Sequence, residues 1–163
     1  MIQNIVKFLG LFLVAALLIN CPKKKEEDNT ALLALLALSS GGASCEVTLL
    51  GTSIGSVPLT TAGSGRLVNV GTRIIGSNTV AVISAKSITS GQKIVVNGGI
   101  STPTIFKQSN CPLDSSRNVA TVTTDYTLNS TASAREFTIN TAGDYLIFVN
   151  TTTATSTIQA GVF

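Results

Sequence analysis

Phe137-Thr138-Ile139-Asn140-Thr141-Ala142-Gly143-Asp144-Tyr145-Leu146-Ile147-Phe148-Val149 is the stretch whose reading decides the fold class of this chain. It opens with alternating apolar and polar residues and passes through a polar turn ending in Gly143. It then runs into five consecutive apolar residues, Tyr145 to Val149, rich in aromatic and β-branched members. β-branched and aromatic side chains suit a pleated surface, and a short apolar run after a glycine turn reads as a strand covered on both faces. The residues after Gly143 are therefore expected to form a central strand.

Upstream, Ala120, Val122, Tyr126 and Leu128 alternate with Thr121, Thr123, Asp125 and Thr127, the pattern of a strand with one wet face. From Cys45 to Phe163 the chain has 119 residues, with 21 Thr, 14 Ser and no Trp, His or Met. That length is enough for one domain with its own core. Strands are expected at 46–50, 66–70, 72–75, 79–84, 93–97, 103–107, 119–128, 135–139, 144–150 and 157–162. Turns fall at Gly63-Ser64-Gly65, Gly76-Ser77-Asn78, Ser90-Gly91, Asn97-Gly98-Gly99 and Asn129-Ser130. No segment after residue 44 has helical periodicity. Short strands at this spacing predict an all-β, antiparallel β-sandwich or jelly-roll-like domain. The lead-in Phe137 to Tyr145 is similar to the strand, glycine turn and tyrosine strand of complement-C1q-like and tumour-necrosis-factor-like jelly rolls, a resemblance of some nine residues that supports a sandwich and no family.

The first 44 residues have a different character. Lys7 is followed by an unbroken apolar run from Phe8 to Ile19 and then by Asn20-Cys21. An apolar helix over 5–19 would rise about 22 Å against a hydrocarbon core of roughly 30 Å, so a cleaved leader over 1–20 fits better than a span. Lys23-Lys24-Lys25-Glu26-Glu27-Asp28 cannot pack and reads as a solvated tether. Ala31-Leu32-Leu33-Ala34-Leu35-Leu36-Ala37-Leu38 then suggests a short helix, marginal alone in water, before Ser39-Ser40-Gly41-Gly42. Leu18 three residues before the cysteine, the charged tether and the Leu/Ala repeat resemble spirochaetal, specifically leptospiral, membrane lipoproteins. Asn20 stands where the usual pattern has a small residue. That resemblance implies acylation of Cys21, residues 21–44 as a lipidated tether, residues 45–163 as the folded domain, and attachment to the outer membrane with possible surface exposure.

With Cys21 as lipid carrier, Cys45 and Cys111 remain as an even pair in an exported domain, where a disulfide is expected. Two cysteines without histidine make no closed zinc site, and no cofactor is expected. The absence of histidine excludes Ser-His-Asp and Cys-His chemistry. The domain's acids, Glu46, Asp114, Asp125, Glu136 and Asp144, show no spacing that singles out a pair, and Ser84-Ala85-Lys86 offers only two residues on one strand face. Seven scattered Lys/Arg against five Asp/Glu leave no nucleic-acid footprint. A membrane β-barrel is disfavoured because Gly161, Gln159 and Thr157 fall where lipid-facing residues belong.

The chain thus reads as a lipid-anchored, non-catalytic interaction or adhesion module, with a structural, self-assembling envelope protein as the alternative. Expected partners are the membrane, a host or envelope protein, or a second copy. The loop 108–118 is the candidate binding element, through Asn110, Asp114, Arg117 and Asn118, because it is the longest stretch without a strand pattern.

Overall fold

The run after Gly143 forms β12 (Gly143–Thr151), and it lies where its composition requires. It is hydrogen-bonded on one side to β6 (Asn78–Ile88) and on the other to β8 (Thr104–Phe106). Tyr145, Ile147 and Val149 project into one apolar cluster and Leu146 and Phe148 into another, so both faces are covered. The computed structural model describes residues 42–152 and 157–163; the expected leader, Cys21, the charged tether and the Leu/Ala segment lie outside them.

The seven-stranded sheet continues from β6 to β2 (Thr52–Thr61), β1 (Ser44–Leu49) and β9 (Leu113–Asp114), with β5 (Arg73–Ile75) pairing the start of β6. The second sheet runs β10 (Tyr126–Ser130), β11 (Ala134–Ile139), β7 (Lys93–Asn97), β13 (Gln159–Val162) and β3 (Gly63–Ser64), and β4 (Val68–Asn69) also pairs β13. The expected β-sandwich is what forms. Most ladders are antiparallel, but β2 with β6, β1 with β9 and β3 with β13 run parallel.

Two cores hold it. Between the sheets, Ala81, Ile83, Tyr145 and Ile147 meet Ile94, Phe137, Ile139 and Ala160, with Tyr126 edge-on to Phe137 at 5.5 Å between ring centroids. The second core lies on the other face of the seven-stranded sheet. There Phe106 of β8 and Leu113 of β9, at opposite ends of the strand order, join one cluster with Cys45, Val47, Val57, Val82 and Phe148. The sheet therefore curls back on itself, and β8 and β9 face each other across a seam.

The structure departs from the sequence reading in several places: Gly63 and Ser64, expected in a turn, form β3, and Leu113 and Asp114, in the stretch without a strand pattern, form β9. β2 was not among the expected strands, and it carries two residues that usually interrupt one, Gly55 and Pro58; Gly55 adopts φ +81° beside the register shift opposite Val47, and forms a bulge. Pro58 is tolerated because the N–H of Leu59 already bonds the Ala43 carbonyl. The missing N–H of Pro58 thus falls on the β6 side, one residue before that pairing starts at Leu59. The expected strand 119–128 is broken by a turn at 123–125, where Thr123 has φ +73°, and Val122 is half exposed instead of facing the core. Asn129 and Ser130 end β10 rather than forming a turn.

The β11–β12 corner is fastened by its own side chains. The Tyr145 hydroxyl donates to the Thr141 carbonyl four residues upstream, a tyrosine corner. Asp144 accepts from the Ser87 N–H at 2.6 Å, where Ser87 bulges out of β6 with φ +55°.

Candidate functional site

The seam between β8 and the β1–β9 edge opens into a groove of about 450 Å³, within the size range of ligand sites. Leu49, Leu50, Val119 and Phe148 give it apolar surface; Thr104, Ser115 and Asn150 give it hydroxyl and amide groups, and no lining residue is charged. It lies at the end of β1 opposite Gly42, where the described chain begins.

Leu50 shapes the rim. With Gly51 it makes the two-residue turn between β1 and β2, and both have positive φ, +49° and +81°. Such a turn favours Asn-Gly, since a bulky side chain in the left-handed region costs roughly 1–2 kcal/mol. Leu50 is nevertheless 94% exposed, so no burial offsets that cost. Its N–H donates to Ser115 Oγ at 2.9 Å, which pins the hairpin tip to the turn after β9. Sequence reading missed this contact, because only the first strand of the hairpin was expected and Leu50 and Ser115 are 65 residues apart.

The candidate loop 108–118 borders the groove but is largely occupied with itself. It contains β9, parallel to β1 through Val47–Leu113 and Thr48–Asp114. Cys111 is bridged to Cys45, as expected, with Cα atoms 5.3 Å apart. Asp114 accepts from Ser116 N–H at 2.9 Å and Ser116 Oγ at 2.7 Å, and Arg117 Nε lies 3.5 Å from its other oxygen. The Ser116 hydrogen bonds first, and then Arg117, hold the Asp114 carboxyl below its usual range. Asn110 donates to Ser109 Oγ, and Asn118, at φ +54°, donates to Gln108 Oε1. Of the four expected binding residues, then, Asp114 closes a turn, Asn118 holds Gln108, and Asn110 bonds its neighbour Ser109 while its backbone carbonyl accepts from Gln108 Nε2. Arg117 extends into solvent with its side chain 79% exposed. None of the four lines the groove; their neighbours Ser115 and Val119 do.

The carboxylate with most partners is Asp125. Its side chain accepts from Thr121 N–H at 2.8 Å and from Lys107 Nζ at 3.1 Å, and its backbone carbonyl accepts from Asn140 and Thr141. The Thr121 bond, then Lys107, lower its pKa. Burial, and secondarily the Asp125 charge, raises the pKa of Tyr126 and Tyr145. These contacts tie the 121–125 turn to the 140–143 turn and present no open face to a substrate. Ser84 is buried with a hydroxyl that has no hydrogen-bond partner, whereas Lys86 is exposed, so they form no nucleophile and base pair. Among the described residues no three Cys, Asp or Glu gather as metal ligands would. Comparison with protein families, curated proteins and solved structures finds no match for this chain.

Proposed function

We propose that this is a lipid-anchored envelope protein whose β-sandwich is a non-catalytic interaction module, binding a partner at the uncharged seam groove. The observation that carries the reading is Leu50. A leucine held in the left-handed region, almost fully exposed and hydrogen-bonded into place beside a groove, costs stability that folding alone does not recover. Backbone strain of this kind concentrates at functional sites. The Cys45–Cys111 disulfide fits an oxidising compartment outside the cytoplasm, in keeping with a secretory leader and acylated Cys21.

Two measurements test this. Cys21→Ser should move the full chain from the detergent phase to the aqueous phase; unchanged partitioning would place the anchor elsewhere. Leu50→Asn should raise the thermal midpoint by relieving the turn while weakening capture of envelope or matrix proteins by the full chain. Capture equal to that of the parent would remove the groove from the reading.

A further inference from the structure

We propose that β10 is a docking edge for a second copy of this chain, the two copies pairing antiparallel about a two-fold axis at Asn129. The proposal is independent of the groove. Successive residues of a strand direct their N–H and C=O groups to alternate sides. The Asp125 carbonyl accepts from Asn140 and the Thr131 N–H donates to Ala134, so the odd residues of this segment bond toward β11. The Tyr126 carbonyl accepts from Thr123 on the opposite side, so the even residues point outward. Among the described residues no backbone group meets Leu128 or Ser130 on that side.

The other edges are closed. β8 is covered at Ile105 and Lys107 by Ala120 and Asn118, and its next outward position is Pro103, which has no N–H to offer. β3, β4 and β9 have two residues each, and β5 has three, beginning with Arg73. β10 has five residues, Tyr-Thr-Leu-Asn-Ser, with no charge and no proline. Natural sheets guard such an edge unless it is used.

The shape of the opening selects the occupant. The 122–125 turn covers the outward side of Tyr126, so pairing can begin only at Leu128. A strand running straight along β10 would meet that turn. A second β10 would not, because its own chain leaves after Ser130 into the hairpin closed by Thr131 and Ala134. Centred on Asn129, Leu128 of one copy exchanges hydrogen bonds with Ser130 of the partner subunit and the reverse, about four bonds in all. Leu128, only partly buried against the core, gains cover. Asn129 faces Asn129 of the partner subunit in the close, unbonded pair, with Cα atoms about 4.5 Å apart.

The test uses the full chain carrying Cys21→Ser, in mild detergent. Asn129→Cys should form a covalent dimer on mild oxidation, since its Cα separation admits a disulfide. Thr127→Cys should not, because the two copies of that site stand about 13 Å apart along the paired strands. Asn129→Lys should fold, being the register neighbour of Glu136, yet reduce the dimer fraction in sedimentation about tenfold through like charges across the axis. Absence of dimer with Asn129→Cys, equal dimer with Thr127→Cys, or an unchanged dimer fraction with Asn129→Lys would overturn the proposal.

Discussion

Replacing Cys45 and Cys111 together with alanine should lower the thermal midpoint of the domain by about 15 °C. The bridge links residues 66 apart, and in the chain-entropy model a loop of that size stabilises by about 4 kcal/mol. Unfolding entropy near 2.1 cal/mol/K per residue over this domain converts that into roughly 16 °C. The structure adds a reason why the native state depends on the bridge. Cys45 is fully buried in the second core, and β9 pairs with β1 through only two residue pairs, so the disulfide reinforces the attachment of this edge strand to β1. Circular dichroism melts of parent and variant, with intact mass confirming that the parent carries no free Cys45 or Cys111, would measure the difference. A drop below about 5 °C would show that the second core closes without the bridge and would refute the reasoning.

Gly161→Ala should destabilise strongly, by about 3 kcal/mol in urea titration, because a Cβ there would stand 2.4 Å from the Arg66 carbonyl oxygen and the 65–67 loop would have to move. Tyr145→Phe removes the hydrogen bond to Thr141 and should cost about 1 kcal/mol, measurable as a lower midpoint with unchanged cooperativity. The Asp125 carboxyl is lowered from 3.8, so its contribution is present above that value and is lost as the pH falls through its folded pKa. Asp125→Asn should therefore flatten the acid limb of the stability profile below about pH 4, and a profile identical to the parent's would contradict the role given to it. Ser84→Ala deletes a buried hydroxyl without a partner and should leave stability equal or higher by up to about 1 kcal/mol.

How far the sequence reaches differs from strand to strand. β12 was legible because five apolar residues after a glycine turn admit one economical placement, between neighbours and under two cores. The Cys45–Cys111 pair was legible from cysteine number and exported context. β2 was not: Gly55 and Pro58 carry breaker signals, and only the bulge opposite Val47 and the unpaired position beside β6 make them compatible with a strand. The 119–128 segment misled for the converse reason, since its alternation is real but Thr123 turns the chain before Tyr126 can continue it.

The groove lay beyond sequence reading altogether, because its walls come from Leu50, Thr104, Ser115 and Phe148, residues that no spacing relates. Loop 108–118 was singled out as the longest stretch without a strand pattern, yet Asp114 and Asn118 are engaged within the loop, Arg117 extends into solvent, and the groove wall falls to Ser115 and Val119 beside them. Local patterning by itself determined the all-β class and the central strand, because periodicity and turn chemistry act over a few residues, while cysteine number and exported context pointed to the Cys45–Cys111 pair. Only the tertiary structure decided which strands are neighbours, where the sheet curls and which edge stays open, because those outcomes depend on pairings between residues tens of positions apart.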